Sequence, residues 1–391
     1  MPYASRRICD ADSHILETWD WVNAHADPDI RERLRPLGLK SAGAGAAKAI
    51  DRAMARVADG GGEAVTDNVV AGPKGWAAYG AFDGAERRRA LDDLGFERQL
   101  VFSTFSANQY LDHEDLAVQY GGLRAHNRAM AAFCAGDDRL IAVAQVTLED
   151  TERALAEIDY ALELGCGAFW IPAKPAGARS PGHPDLDPVW ARLEATRTPF
   201  MLHIGPASRV LPPEYQYNGM APVTDWLGGG ENLRFRDYMV LSFAPQMFLS
   251  ALVYDGVFER FPGLRGGVIE LGAGWVPEFL RSLDAAHRMF RKTDPAATSM
   301  SMKPSEYLRR AVRFTPFPGE DVGRIIRDSA PELYLFSSDY PHPEGTKDPI
   351  GRFEATMEGL DEDVRDAFYA GNFDDMMGGA PVEPLRAPVA A

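Results

Sequence analysis

Cysteine is scarce in this chain. Only three of the 391 residues are cysteines, Cys9, Cys134 and Cys166, and no pair has the CxxC spacing. An odd and widely spaced set next to apolar residues makes neither a disulfide framework nor a cysteine-ligated zinc site. We therefore expect three buried free thiols in a reducing compartment, which points to the cytoplasm.

Long apolar runs and a surplus of basic residues are missing as well. There is no run of about 18 apolar residues, the length that a membrane-spanning helix needs. Residues 1–14 contain no apolar core of a signal peptide, so none is expected. With 57 acidic and 41 basic residues the net charge is −16, which disfavours nucleic acid and anionic membranes as partners. A small-molecule substrate remains the expected partner.

A glycine-rich turn is absent after the first predicted strand, which is followed by HILETWDW. A doubly wound sheet that binds a nucleotide usually has such a turn there. Apolar runs instead alternate with amphipathic helical patterns, which predicts parallel strands joined by right-handed crossovers. The predicted strands are 8–14, 99–103, 140–146, 168–172, 199–204, 266–271, 312–315 and 333–338. The predicted helices include 116–133, 151–164, 187–196, 245–260, 276–290 and 319–328. Eight such units predict an α/β fold, a closed (β/α)8 or TIM barrel with its active site at the C-terminal strand ends.

Two long segments interrupt this alternation. Residues 38–84 follow strand one and residues 206–244 follow strand five, so both leave from the face that would carry the site. Long loops on that face are commonly lids or substrate-binding walls. The alternative for the Gly-rich tract around Gly60–Gly62 is disorder. We predict one barrel domain over residues 1–378, with these two lid insertions, and a flexible tail over 379–391.

Metal-binding residue types stand at the C-terminal ends of three predicted strands. Asp12 and His14 are two apart in ICDADSHI, a spacing that puts both side chains on one face of a strand. His203 ends PFMLHIG and Asp339 follows LYLFSS. A carboxylate buried at such a place needs a cation or several donors. These four residues are the predicted ligands of one divalent cation, with a turn-capping aspartate and a core histidine as the structural alternatives.

Further candidates surround this quartet. Glu270, in GVIELGAGW, is predicted as a general base, a partner of a ligand or an extra ligand. His342, in SSDYPHPEG, is the second catalytic candidate, or else a histidine that holds the loop. Whether Glu17 and Lys174 join the site stays open; a carbamylated Lys174 would bridge two metals. Nitrogen and oxygen ligands suit zinc first, with manganese or iron as alternatives.

As a set, DADSH, PFMLHIG, VFERFPGLRGGVIELGAGWVP and LFSSDYPHPEG resemble the amidohydrolase-related family that includes aminocarboxymuconate-semialdehyde decarboxylase and the γ-resorcylate-type decarboxylases. The resemblance covers most of residues 7–373. It implies a distorted (β/α)8 barrel, a homodimer, and one divalent metal held by Asp12, His14, His203 and Asp339. Relatives carry His or Glu where this chain has Asp12. The well-described decarboxylases carry a histidine where this chain has Glu270.

Two enzymatic hypotheses follow. The first is a metal-dependent hydrolase that acts on a small, apolar or aromatic carbonyl compound through metal-activated water, with Glu270 and His342 as catalytic residues. This hypothesis is favoured because the chain has Glu270 where the well-described decarboxylases have a histidine. The alternative is a metal-dependent, non-oxidative decarboxylase of an aromatic or enoic acid, with Glu270 or His342 protonating the carbon. A non-enzymatic metal-binding barrel is the third and weakest hypothesis.

Overall fold

Seven parallel strands form one sheet in the computed structural model, which describes residues 5–39, 45–60, 69–208, 210–220, 234–295 and 299–378. The order of the strands in the sheet is their order in the chain. They are β1 (Cys9–His14), β2 (Arg98–Phe102), β3 (Leu140–Gln145), β4 (Ala168–Trp170), β5 (Phe200–His203), β6 (Gly266–Ile269) and β7 (Val312–Phe314). The architecture is the predicted TIM-barrel-like α/β fold.

Helices connect the strands and cover the sheet. The α-helices are Pro28–Arg31, Ala46–Ala58, Gly84–Leu94, Leu116–Cys134, Thr151–Glu163, Asp187–Thr196, Phe235–Val240, Phe243–Tyr254, Val257–Arg260, Val276–Phe290, Pro304–Ala311, Val322–Asp328, Pro349–Glu354, Glu362–Asp366 and Asn372–Met376, with a π-helix at Ala367–Gly371. The single helix predicted over 245–260 is wrong. Gly256, with a φ of 74°, separates two helices there, because a left-handed residue ends the α-helical hydrogen-bond ladder.

The predicted eighth strand, 333–338, is only partly realised. Its segment is not a continuous strand, yet Tyr334 bridges Phe314 in β7 and Tyr340 bridges Ser13 in β1, both in parallel sense. Residues 334–340 therefore run between the first and last strands of the sheet.

The ladder breaks because two amides of this segment bond elsewhere. The Phe336 amide donates to the carbonyl of Phe368 at 3.0 Å. The Ser338 amide donates to the side chain of Asp10 at 2.8 Å. Apolar periodicity identifies the run as extended, but it does not reveal these competing acceptors.

The first insertion packs on the barrel in its described part. The helix Ala46–Ala58 buries Ile50 and Ala53, and the Trp76 indole donates to the carbonyl of Glu17 at 3.1 Å. The described part of the second insertion, in contrast, exposes aromatic side chains, including Tyr215, Tyr217 and Phe235. Gly61, Gly62, Trp226 and the predicted tail 379–391 lie outside the described residues.

Two expectations from composition can be compared directly with the structure. Cys9, Cys134 and Cys166 are all free and buried, as predicted. Within the described ranges, no helix combines the length and the apolar character required to cross a bilayer.

Gly266 in β6 provides a test of the packing between strands. A Cβ atom at this position would lie 2.3 Å from Cζ of Phe200 in β5, well inside contact distance. We expect Gly266→Ala to lower the free energy of unfolding by about 1–3 kcal/mol, because the buried ring cannot give way without strain. Urea denaturation measures this loss. Gly38→Ala is the matched control, since nothing lies within 4 Å of a Cβ built there; equal stability of both variants would contradict the packing.

Candidate metal centre

All six residues predicted for the site lie together and are buried. The set comprises Asp12, His14, His203, Glu270, Asp339 and His342. Asp12 and His14 lie on β1, His203 ends β5, and Glu270 follows the end of β6. Because parallel strands end at one edge of the sheet, residues far apart in sequence meet there.

Their ligand atoms form two overlapping groups. In the first, one atom each from Asp12, His14, His203 and Glu270 lies within 4.8 Å of all the others. In the second, His14, Glu270, Asp339 and His342 meet the same limit. The two groups share His14 and Glu270, so Glu270 stands as close to the centre as the predicted ligands do.

The shortest distances converge on two histidine nitrogens. Nε2 of His14 lies 3.2 Å from Asp12 Oδ1, 3.5 Å from Asp339 Oδ1 and 3.6 Å from Glu270 Oε2. Nε2 of His203 lies 3.3 Å from Asp12 Oδ1 and 3.4 Å from Glu270 Oε2. Imidazole nitrogens surrounded by carboxylate oxygens are the donor set of a divalent transition metal.

The tautomer of His203 sharpens this point. Its Nδ1 lies 2.8 Å from the carbonyl oxygen of Ile204, which can only accept, so Nδ1 carries the proton. Burial lowers the pKa of His203, which keeps the ring neutral. Its Nε2 therefore points a lone pair at the carboxylate of Asp12, and two lone pairs at this distance need a cation between them.

The environment of His14 also favours a positive charge. Neither of its ring nitrogens makes a well-formed hydrogen bond to any residue in the described part of the chain. Burial alone would lower the pKa of His14, but the carboxylates of Asp12 and Glu270 raise it well above its usual range. The site therefore favours a positive charge at this nitrogen, and a metal ion supplies one.

Asp12 and Asp339 differ in their electrostatics. Burial acts to raise the pKa of Asp12, but His14 and His203 lower it well below its usual range. Burial and the nearby charge of Asp12 raise the pKa of Asp339 well above its ordinary value. Without a cation, the protein does not stabilise both charges, whereas a divalent ion would compensate both.

Glu270 and Asp339 have left-handed backbone conformations, with φ of 55° and 53°. Such a conformation costs a residue with a side chain about 1–2 kcal/mol. Hydrogen bonds hold both in place: the Glu270 amide donates to Thr315 Oγ1 and the Asp339 amide to the carbonyl of Asp12, each at 2.9 Å. Strain of this kind is typical of functional sites, where it aims a side chain that regular strand geometry would turn away.

His342 lies against the ring of His14. The two rings stack with their centroids 4.0 Å apart. His342 Nδ1 lies 3.1 Å from Asp339 Oδ1 and its Nε2 lies 2.9 Å from Thr104 Oγ1. Burial, followed by the charge of His14, lowers the pKa of His342 to about 3, so the ring is neutral at physiological pH.

Lys174 and Glu17, which the sequence left open, have other partners. Lys174 Nζ lies 2.9 Å from Glu149 and 3.4 Å from Asp112. Glu17 accepts hydrogen bonds of 2.9–3.0 Å from three consecutive amides, those of residues 104–106. Neither side chain belongs to the groups of potential metal ligands found among the described residues.

Sequence reasoning missed Asp10, a fully buried carboxylate two residues before Asp12. It accepts hydrogen bonds from the Ser338 amide at 2.8 Å, the Ser338 hydroxyl at 2.6 Å and Gln99 Nε2 at 2.7 Å. Burial raises its pKa to about 6. Asp10 thus ties β1 and β2 to the residue directly before Asp339. The alternation Asp10, Asp12, His14 was the available signal.

Arg87 extends this buried network. Its guanidinium donates to Gln99 Oε1 at 3.2 Å and to the carbonyl of Gly80 at 2.8 Å. It also donates to the carbonyl of His14. A fully buried arginine therefore fixes the backbone that carries one of the predicted ligands.

A cavity of about 340 Å³ opens onto this centre. Asp12, Glu270 and Asp339 are among the residues that line it. The remaining lining residues are Tyr238, Thr315, Pro316, Phe317, Pro318, Gly319, Ser337, Glu344, Thr346 and Arg352. The lining of the cavity therefore combines carboxylates with apolar residues, and its size suits a small molecule.

The amidohydrolase family model matches residues 9–372 of this chain. The chain belongs to the amidohydrolase family. Membership makes this amidohydrolase a metal-dependent enzyme, a hydrolase or a carboxy-lyase. Among curated proteins none matches the chain.

Solved structures show the same fold. An amidohydrolase from Mycobacterium avium subsp. paratuberculosis K-10 is 21% identical, with a TM-score of 0.73 over 96% of this chain and 98% of the other. The 5-carboxyvanillate decarboxylase from Sphingomonas paucimobilis is 20% identical, with a TM-score of 0.60. The match covers 96% of this chain and 99% of the other. A dihydroxybenzoic acid decarboxylase from Polaromonas sp. JS666 is 20% identical, with a TM-score of 0.56; the match covers 75% of this chain and 85% of the other. That structure was solved with bound manganese and the inhibitor 2-nitroresorcinol.

His203 provides a direct test of the ligand set. We expect His203→Ala to lose most of the bound metal, because it removes the lone pair that faces Asp12 at 3.3 Å. Metal content per chain, measured by plasma mass spectrometry, gives the result, and circular dichroism verifies the fold. His183→Ala is the control, since His183 is partly exposed on a loop. A full metal equivalent in His203→Ala would remove this residue from the ligand set.

Asp10 provides a test of the network behind the ligands. Asp10→Asn keeps the shape of the side chain but replaces one carboxylate oxygen with an amide NH2 group. This group would face the donors of Ser338 or Gln99 and could not accept their hydrogen bonds. We expect Mn²⁺ to bind about 10-fold more weakly, since partners of metal ligands typically contribute 10- to 100-fold in affinity. Calorimetric titration of the metal-free protein measures this change, with the exposed Asp29→Asn as control. Unchanged affinity in Asp10→Asn would show that the network does not position the ligands.

Proposed function

We propose that this amidohydrolase is a metal-dependent, non-oxidative decarboxylase of a small aromatic acid with an oxygen substituent next to the reacting carboxylate. The observation that carries the proposal is the lone pair of His203 facing Asp12, with Glu270 at the edge of the same partly apolar cavity. A cation site, a proton-bearing group and an apolar wall are the three parts that such a reaction needs.

In this proposal Asp12, His14, His203 and Asp339 hold one divalent cation. When bound, this cation would hold the substrate carboxylate and its neighbouring oxygen and withdraw electron density from the ring. Zinc, manganese and iron(II) all accept this donor set. The manganese in the Polaromonas decarboxylase supports manganese beside zinc, the first choice from the sequence.

Glu270 carries the proton in the proposed reaction. The C–C bond to the carboxylate breaks, CO2 leaves, and the Glu270 carboxyl gives its proton to the ring carbon that held it. Water then returns a proton to Glu270. Its strained backbone, held by Thr315, keeps the carboxyl aimed at the cavity that it lines.

The apolar wall positions the ring. Phe317, Pro316 and Pro318 line the cavity together with Tyr238, whose ring centroid lies 5.7 Å from that of Phe317. An aromatic substrate would stack against these groups and exclude water. His342 is neutral, and it lies between Thr104 Oγ1, 2.9 Å from its Nε2, and Asp339 Oδ1, 3.1 Å from its Nδ1.

The structural neighbours support this choice. The Sphingomonas enzyme is a decarboxylase of 5-carboxyvanillate and the Polaromonas enzyme of dihydroxybenzoic acid. The presence of Glu270 where well-described relatives have histidine does not oppose decarboxylation, since a buried carboxyl can also deliver a proton.

Hydrolysis is the second candidate, and the position of Glu270 favours it. Its Oε2 lies 3.4 Å and 3.6 Å from the Nε2 atoms of His203 and His14. A water molecule at the cation would therefore lie within reach of this carboxylate, which could act as its general base.

The surrounding chain completes the proposal. We place residues 1–378 in one barrel domain, with 38–84 and 206–244 as walls of the site. Tyr238 of the second insertion lines the cavity, and the Gly75 amide in the first bonds to the carbonyl of Pro341 at 3.0 Å. A homodimer and a cytoplasmic location remain predictions.

Products labelled in H2¹⁸O separate the two reactions. Metal-loaded protein is incubated with a panel of hydroxybenzoic acids and, in parallel, with esters and amides. We expect CO2 release from an acid and no ¹⁸O in the aromatic product. Labelled product from an ester or amide, without CO2 from any acid, would instead establish hydrolysis.

Glu270→Gln is the matched variant for this assay. It keeps the size of the side chain but cannot donate a carboxyl proton. We expect the variant to keep one metal per chain. Its kcat should fall by a factor of about 10²–10⁴, the usual contribution of general acid–base catalysis. Glu278→Gln, on the surface of the helix Val276–Phe290, is the control. An unchanged kcat in Glu270→Gln would exclude the proton-carrying role.

A further inference from the structure

Two loops at the C-terminal ends of neighbouring strands form much of the cavity. The β6 loop, residues 270–275, begins with Glu270 directly after β6. The β7 loop, residues 315–320, follows β7, and its first five residues all line the cavity. The proposed reaction needs the carboxyl of Glu270 at a fixed place relative to a ring that packs on the β7 loop. The relative position of the two loops therefore matters for the chemistry.

Glu320, the last residue of the β7 loop, bonds to both loops through its carboxylate. In the β6 loop it accepts hydrogen bonds from the Ala273 amide at 2.9 Å and from the Gly274 amide at 2.6 Å. In its own loop it accepts one from the Phe317 amide at 2.7 Å. An ionised acceptor makes such bonds stronger than neutral ones. One side chain thus joins the backbones of the two loops.

The glycines of the β6 loop make room for this contact. A Cβ atom at Gly274 would lie 2.7 Å from Oε1 of Glu320, and one at Gly272 would lie 2.9 Å from Cε2 of Phe317. Gly272 also has a φ of 66°, a left-handed conformation that glycine adopts without steric cost. The sequence LGAGW therefore permits the close approach of the β7 loop.

The β7 loop is attached to the β6 loop at both of its ends. At its start, Thr315 Oγ1 accepts the hydrogen bond from the Glu270 amide at 2.9 Å. At its end, Glu320 accepts the bonds from Ala273 and Gly274. The strained, left-handed backbone of Glu270 lies between these attachments. Loss of one of them would let this residue relax and turn its carboxyl away from the cavity.

We infer that Glu320 is a positioning residue for the proton transfer: it holds the β6 loop against the β7 loop and so keeps the Glu270 carboxyl directed at the ring carbon that loses CO2. The inference rests on the proposed function and adds a residue to its machinery. Glu320 is not among the described residues that line the cavity, so it acts through Glu270 and not on the substrate.

Glu320→Gln tests this role in the CO2-release assay with the panel of hydroxybenzoic acids. The variant keeps the size of the side chain but replaces one accepting oxygen with an NH2 group. We expect one metal per chain and a kcat lowered by a factor of about 10–100, since a small misplacement of a reacting group can cost that much. The solvent deuterium isotope effect on kcat should rise, because delivery of the proton becomes the slower step.

Gly274→Ala provides a second variant that leaves Glu320 in place. Its Cβ atom would displace the carboxylate, so the same changes in kcat and isotope effect are expected. Because both substitutions break one contact, the double variant should lose no more than the larger single loss. Glu194→Gln is the matched control: Glu194 accepts a hydrogen bond of 2.6 Å from the Gly263 amide, just before β6, and its loss should change neither quantity.

Amide hydrogen exchange of the metal-loaded protein, followed by mass spectrometry, reads the attachment without a substrate. Glu320→Gln should exchange faster than wild type in both loops, residues 271–275 and 315–319, because fewer bonds hold them closed. Exchange in β1 to β5 should stay unchanged. Equal exchange of both loops in variant and wild type would show that Glu320 does not hold them together.

The outcomes separate this inference from the proposed function. An unchanged kcat in Glu320→Gln would overturn the positioning role and leave the decarboxylase proposal intact. A lower kcat with an unchanged isotope effect would overturn it as well, since it would reflect a smaller fraction of correctly folded protein. Absence of CO2 release from every acid with wild-type protein would instead overturn the proposed function, and with it the catalytic role of Glu320.

Discussion

The structure depends on one electrostatic constraint: buried lone pairs that face each other. Two imidazoles and three carboxylates from distant parts of the chain meet at the C-terminal ends of parallel strands, with 3.2–3.6 Å between each histidine Nε2 and the carboxylate oxygens beside it. A protein interior cannot stabilise such a cluster unless positive charge lies within it. A proton on His14 supplies part of that charge, and a divalent cation would supply all of it.

The constraint extends outward from the predicted metal ligands. Asp10, within β1, accepts a hydrogen bond from the Ser338 amide, next to the predicted ligand Asp339, and Arg87 donates to the backbone carbonyl of His14. This buried network joins β1, β2 and the segment before Asp339, which is the part of the sheet without a regular ladder. There, side-chain hydrogen bonds from Asp10 hold residues 334–340 beside β1, a position that a continuous eighth strand would fix through backbone hydrogen bonds.

Local patterns were sufficient to predict which residues cluster at the strand ends, but they revealed only part of what surrounds this cluster. The spacing of Asp12 and His14 and the apolar run before His203 predicted residues that the structure brings together, because strand alternation and the parallel sheet fix where such residues lie. Seven strands followed from the same periodicity. The eighth did not, because the Phe336 amide bonds to Phe368, a partner from a distant helical segment. Asp10 was missed because its role depends on Ser338 and Gln99, which only the folded chain brings beside it.

The left-handed backbone at Glu270 and Asp339 limits how this site can change over generations. Asparagine, aspartate and histidine tolerate that conformation better than glutamate does. Replacing Glu270 by one of these residues would therefore relieve part of the backbone strain at this position. Each of these replacements would, however, change the length or the acidity of the group that lies 3.4 Å and 3.6 Å from the Nε2 atoms of His203 and His14.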